Sequence, residues 1–317
     1  MSFNLGGLTP YTDQLSTELV TRAVLKPQSV SNLTVRPNLT AGTTSINILG
    51  VNADIKNYDC GFGSAQTGTN STIFTQVPLV NVQKMMKEDL CPNVLRDYWL
   101  SSQMSPSSYQ ETVPFEQAIA DLKVRTIQKY IEETIWQGDG GDLDGLIDQI
   151  SVSNGAISGV SAASDFSSAS TAYAGFWKLV DALFAANPAL TQEDDLIMYV
   201  SGATYSKLVQ ALQSKGNSIL LQYPNITNVT GSPENSFIWP GTNIKVFLAP
   251  GLVDLGSPVV PTVILGPKKY AYFGTGIMND EAKFRFFYDP SVDIVKFYSA
   301  FSMGTAAISN QFISTVA

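Results

Sequence analysis

The chain has 317 residues, of which 44% are hydrophobic and only 15% charged, with a formal net charge of −8. Such a length is ample for a large core in two subdomains or one elaborated domain, and the composition is that of a folded globular chain, not a disordered one. The acidic balance argues against wrapping nucleic acid as the main task, no run of 18 apolar residues offers a membrane span, and the start MSFNLGGLTPYTDQLS lacks the basic and apolar regions of a signal peptide.

The charged share lies well below the usual quarter, as in chains that cover much of their surface with neighbours. Histidine is absent altogether, which removes the commonest general base and the commonest metal ligand. Cys60 and Cys91 are too few for a disulfide framework or a zinc site. They read as two reduced, separately packed thiols, with an intermolecular bridge through Cys60 as the alternative.

In chain order, residues 1–32 are punctuated by Pro10 and Pro27. A short helix fits Asp13–Val24 with Thr12 as its cap, and the rest reads as an extended arm. From Leu33 to Leu49 the signal is strand, broken at Pro37-Asn38 and Ala41-Gly42, with Ser45–Gly50 a second strand candidate. Asn57–Thr72 is rich in Gly, Asn and Thr, as loop tips are, and Ile73–Val82 returns to alternation. Residues 33–82 therefore read as a long two-stranded hairpin. Isolated hairpins are marginal in water, so this one is expected to reach onto another subunit.

Lys84–Met104 reads as helix, cut in two by Pro92. The widest helical stripe follows, from Val113 to Ile150. Pro114 and Glu116 suit a first turn. Phe115, Ala118, Ile119, Leu122, Ile127, Tyr130, Ile131 and Ile135 recur at steps of three to five. Asp121, Lys123, Arg125, Lys129, Glu132 and Glu133 fill the remaining faces, with Asp121/Arg125 and Lys129/Glu133 spaced to pair. Gly138 is a natural stop. At 1.5 Å per residue the helix Pro114–Gln137 would run roughly 36 Å, the proportions of a beam.

Ser151–Ser170 reads as a Ser/Gly/Ala-rich connector. Ala174–Asn187 is an amphipathic helix with Phe176, Leu179, Val180, Leu183 and Phe184 on one face. Leu196–Val200 suits a strand buried on both sides, and Gly202–Leu212 is another helix. Strands over Ile244–Leu248 and Val259–Leu265 complete a compact α/β subdomain, with Gly216–Gly241 a long loop. Lys268–Gly274, Lys283–Tyr288 and Asp293–Phe301 are aromatic and β-branched strands, and Ala306–Val316 forms the tail.

No catalytic, cofactor-binding or metal-binding residue can be nominated. Gly138–Asp148 (GDGGDLDGLID) superficially suggests a calcium loop. With Asp142 and Asp144 at positions three and five, however, Gly140 falls first and Ser151 twelfth, and neither is a suitable ligand. It reads as a helix end with solvated carboxylates. Gly61-Phe62-Gly63 and Gly274-Thr275-Gly276 do not complete a dinucleotide-binding pattern, and no phosphate-binding GxxxxGK[ST] occurs. Serine or cysteine nucleophiles would lack their usual base. The five Asn-x-Ser/Thr sequences, at Asn32, Asn38, Asn70, Asn225 and Asn228, read as chance.

The order of parts is informative. Arm, hairpin, beam helix ending in Trp136-Gln137-Gly138-Asp139 and then Leu143-Asp144-Gly145-Leu146, α/β unit Ala174–Leu212, and closing strands Val263–Ser314 together resemble the major capsid proteins of tailed double-stranded DNA phages. The resemblance implies an α+β, HK97-like capsid fold. It assigns 1–32 to an N-terminal arm, 33–82 to the E-loop hairpin, and 83–170 to a peripheral domain with its spine helix at 113–137. Residues 171–262 become an axial domain, and 263–317 the peripheral domain's closing strands. It implies a structural, non-enzymatic protein without cofactors. Its partners would be further copies of itself, in pentamers and hexamers of an icosahedral shell, and a portal protein. Separate scaffolding and decoration proteins are possible partners, and the shell would enclose double-stranded DNA without sequence-specific binding and without a membrane. The implied location is the virion capsid, assembled in the host cytoplasm. An encapsulin-like compartment around enzyme cargo is the alternative with the same fold. A surface-array protein or a monomeric enzyme would be readings from other classes.

Overall fold

A computed structural model of the chain describes residues 27–39, 41–52, 71–90, 115–214, 235–255, 261–276, 284–289, 291 and 294–316. The expected arm helix at 13–24, residues 57–70 of the loop tip expected over 57–72, and most of the 216–241 loop lie outside these residues; Ser71 and Thr72 are strand. The helices are α1 (Gln28–Ser31), α2 (Phe115–Gln137), α3 (Leu146–Gln149), α4 (Val160–Ala163), α5 (Ala169–Ala186) and α6 (Gly202–Ser214). The strands are β1 (Thr34–Arg36), β2 (Gly42–Asn52), β3 (Ser71–Leu90), β4 (Ile157–Ser158), β5 (Leu196–Val200), β6 (Ser236–Ile238), β7 (Lys245–Leu248), β8 (Val263–Pro267), β9 (Ala271–Thr275), β10 (Phe284–Asp289), β11 (Ile294–Ala307) and β12 (Ile313–Ser314).

The first sheet runs β1-β9-β11-β3-β2, with β10 on the other end of β11. Strand β11 is its axis: one edge pairs with β3 from Val295↔Leu90 to Thr305↔Val80. The opposite edge is shared by β10 and β9. The second sheet runs β4-β12-β8-β5-β7-β6.

The long helix α2 lies between the two sheets. Ile131, Ile135 and Trp136 meet Phe273, Phe297, Phe301 and Met303 of the first sheet and Tyr199, Phe247 and Ile264 of the second in one buried cluster. The second sheet turns its other face, Met198, Val200, Val246 and Leu265, toward Phe176, Leu179, Leu183 and Leu208 of α5 and α6. That is why Leu196–Val200 is an unbroken apolar run: its alternate side chains enter two different cores.

Four expectations change. The helix expected over Lys84–Met104 is strand through Leu90, and 91–104 lies outside the described residues. Locally, Lys84–Leu90 favours helix. But Val82, Lys84, Met86 and Glu88 alternate as half-buried positions with exposed Gln83, Met85, Lys87 and Asp89. Eleven register partners along β11 override the local preference. On α2, Leu122 and Tyr130 point outward, 61% and 38% exposed, while Lys123, Val124, Glu132 and Trp136 are buried. The buried face is wider than the aliphatic residues alone suggested. Ser151–Ser170, expected as a connector, carries β4 and α4, and β4 pairs with β12. Finally, the division at 262/263 cuts through the second sheet, because β8 and β12 pair within it.

Candidate assembly surface and its anchors

Among the described residues, β2 pairs only with β3. Beyond Val80, where pairing with β11 ends, β2 and β3 continue as a two-stranded ribbon to Asn52↔Ser71. Nine residues of extended chain span about 30 Å. The ribbon's root is packed: Ile46 and Leu79 are buried with Tyr272, Ala306 and Ile308, and Ile48 and Val77 lean on them. Further out, Phe74, Thr75 and Gln76 are exposed, Phe74 by 75%. Between Gly42 and Asn52 the edge strand carries no charge. Sheet edges are usually protected by Lys, Pro or a covering element.

Three sets of contacts fix β3, its ribbon and the arm root to the body. The first is a close approach of backbones at its root. A Cβ on Gly304 would lie 2.3 Å from the Val80 carbonyl oxygen, and one on Gly274 would lie 2.8 Å from Leu39 Cδ1. Asn38, at φ +62°, turns the chain so that Leu39 reaches this spot, and the Asn81 amide donates to the Leu39 carbonyl at 3.0 Å. The Gly274-Thr275-Gly276 pair therefore makes room for Leu39, not for a phosphate.

The second set is a pair of ion contacts of opposite polarity. On the half-buried face of β3, Lys84 donates to Asp139 Oδ2, just beyond the end of α2, and Glu88 accepts from Lys123 within it. Asp139 Oδ1 also accepts from the Gly141 and Leu143 amides at 3.0 Å each. The Lys84 hydrogen bond, with these amides, holds the Asp139 carboxyl down at about 2, against the opposing pull of burial. The Asp139 hydrogen bond in turn raises the Lys84 ammonium.

The loop these residues close is compact. Gly138 adopts φ +74°, and a Cβ on Gly145 would lie 2.2 Å from the Trp136 carbonyl oxygen and 2.4 Å from the Gly138 nitrogen. Gly138–Asp148 thus folds back on the C-terminus of α2. Asp142, Asp144 and Asp148 are exposed, whereas Asp139 is committed to backbone and Lys84, so the expectation of uniformly solvated carboxylates fails for that residue.

The third set holds the root of the N-terminal arm. Ser29 is fully buried; its amide donates to Glu132 Oε1 at 3.0 Å and its hydroxyl to the same oxygen at 2.6 Å. The Trp136 indole donates to Ser29 Oγ at 2.8 Å, and Trp136 packs on Tyr199 with ring centroids 5.0 Å apart. From the second sheet, Tyr199 donates to the Asn32 carbonyl at 2.7 Å and Lys245 to Asn32 Oδ1 at 3.0 Å. Burial raises the Tyr199 hydroxyl well above its ordinary value, so it serves as a donor. Asn32, the first of the five Asn-x-Ser/Thr sequences, is 3% exposed and bonded in this joint. The sequence offered one signal for Glu132: it lies four residues before Trp136, on the same helical face.

No protein-family model and no curated protein matches the sequence. Solved structures do match. The capsid of a native GTA particle aligns at 16% identity with a TM-score of 0.51, over 93% of this chain and 90% of that one. The capsid of Myoviridae phage XM1 aligns at 15% identity and TM-score 0.53, over 89% and 88%. The capsid of Ralstonia phage GP4 aligns at 10% identity and TM-score 0.53, over 90% and 87%. At such identities the likeness is one of backbone architecture. The chain has the α+β, HK97-like fold found in these phage capsids.

Proposed function

We propose that this protein is the repeating subunit of a tailed-phage capsid: many copies close into an icosahedral shell around packaged double-stranded DNA. The observation that carries this is the alignment with phage capsid subunits over about nine-tenths of both chains. The ribbon adds physical support. It displays Phe74 with nothing of its own chain to bury it, among the described residues, and places it on a firmly rooted lever.

In this reading residues 1–32 are an arm, 33–82 an E-loop laid over a neighbouring copy, the first sheet with α2 a peripheral domain, and 171–262, with β8 and β12 completing its sheet, an axial domain around the five-fold and six-fold axes. The protein's role is mechanical, not enzymatic, in the virion, with assembly in the host cytoplasm. A portal protein would occupy one vertex, with a separate scaffolding protein and decoration proteins as further partners. At about 25 cal/mol per Å² of apolar surface, a few thousand Å² buried per subunit could offset the cost of association.

The test is to purify the expressed full chain and examine it by sedimentation and negative-stain electron microscopy. Closed shells or pentameric and hexameric capsomers are expected. A stable monomer at all concentrations, with or without co-expressed phage proteins, would overturn the proposal.

A further inference from the structure

A carboxylate is sealed into the seam between the arm root and the long helix. Glu132 is 6% exposed, and its hydrogen-bond donors are the amide and hydroxyl of one residue, Ser29. Among the described residues, the charged and titratable groups of the elements around the seam have other engagements. On α2, Lys129 lies 3.7 Å from Glu133 and Lys123 meets Glu88. From β7, Lys245 donates to Asn32, and from the turn after β8, Lys268 donates to the Ser31 carbonyl at 2.8 Å. From β5, Tyr199 donates to Asn32, and past β7, Asp254 accepts from the Thr262 amide at 3.1 Å. Among the described residues, no ion pair includes Glu132. A buried charge without a counter-charge is costly, and hydrogen bonds offset only part of that cost.

We propose that Glu132 makes docking of the arm root dependent on protonation: the Gln28–Ser31 turn grips α2 most firmly when the carboxyl is neutral, and sits under tension when it is ionised. The geometry accommodates the neutral form. Ser29 Oγ has two lone pairs, so it can accept both the Trp136 N–H and an acid proton while its amide still donates to the carbonyl oxygen. Withdrawal of the turn would let water reach an ionised Glu132.

Burial raises the Glu132 carboxyl above its ordinary range, and the Ser29 hydrogen bonds offset this only in part. The docked state therefore binds its proton more tightly than the undocked state. Docking is fully favoured below the ordinary carboxylate value and weakens as pH rises through the raised one. This inference concerns the single chain and holds whether or not shells form.

Hydrogen–deuterium exchange of the full chain tests it, read on a peptide spanning residues 27–33 and corrected for intrinsic exchange. Protection should be about 3–10-fold higher at about pH 5 than at about pH 7.5. In E132Q, which keeps the size and one acceptor, the ratio should fall to about one. A wild-type ratio near one, or an unchanged ratio in E132Q, overturns the proposal. Should E132Q fail to fold, the wild type decides the question at about 1 M salt, where surface charges are screened and buried ones much less. A ratio that persists supports the buried carboxyl; one that vanishes assigns the effect to surface charge and sinks the proposal.

Discussion

The α/β unit around β5 and the β2–β3 ribbon solve the same problem in opposite ways. The α/β unit covers its central strands within the chain. Every residue of β5 and β8 is buried, and Phe176 stacks on Trp239 with centroids 4.0 Å apart and planes at 11°. Among its described side chains, the ribbon is covered at its root, while further out Phe74 stands in solvent. The first region owes its shape to a core it owns, while the second owes its shape to anchors at one end. Damage to the α/β unit should therefore be read in stability, and damage to the ribbon in assembly.

The largest effect is expected in the core. Phe176→Ala should cost about 3–5 kcal/mol, because it removes a stacked ring that the surrounding side chains cannot replace. Chemical denaturation would show it, and a loss under about 1 kcal/mol would contradict the self-contained character of this unit. Next comes Gly145→Ala, whose new methyl would press on the Trp136 carbonyl and the Gly138 nitrogen. It should cost about 3 kcal/mol or more, measured by the same unfolding curve; a neutral result would show that the loop has room the backbone does not display.

Smaller is Lys84→Ala, which strips Asp139 of its cation and should cost about 1–2 kcal/mol, given that the pair is only partly exposed. The related acid effect has a definite sign. The Asp139 carboxyl is held at about 2, below its ordinary 3.8, so its contribution is present above the ordinary value and lost as pH falls through the lowered one. Asp139→Asn should flatten acid unfolding across that window, as followed by circular dichroism. An identical acid profile would rule out Asp139 as its source. The smallest effect on stability, within about 0.5 kcal/mol, is expected for Phe74→Ser. Yet this variant should form few or no shells under the microscope. Normal shells would mean that Phe74 is not the residue a neighbour covers.

The parts that could be read in the sequence are those whose signal is local. The unbroken apolar run Leu196–Val200 reports a strand covered on both sides, the helical stripe within Ala174–Asn187 reports one buried face, and Gly138 marks a helix stop. The second half of β3 could not be read this way. Lys84–Leu90 becomes strand because β11, some 200 residues later, supplies its partner, and no local pattern carries that information. The anchors were hidden for a related reason. Glu132 and Lys84 belong to types normally left in water, and only tertiary partners, Ser29 and Asp139, make them interior groups. The outward turn of Leu122 and Tyr130 follows from the same cause, since a helix between two sheets is covered according to where those sheets sit.

The axial position of β11 also orders events in time. Val80–Leu90 has no partner on that edge until Ile294–Ala307 has been synthesised, and β8 lacks its β12 neighbour until Ile313–Ser314 follows. Pairings this distant along the chain are slow to form. A nascent polypeptide on the ribosome thus carries an unfinished ribbon root, with one strand edge of Val80–Leu90 unpaired, through most of translation.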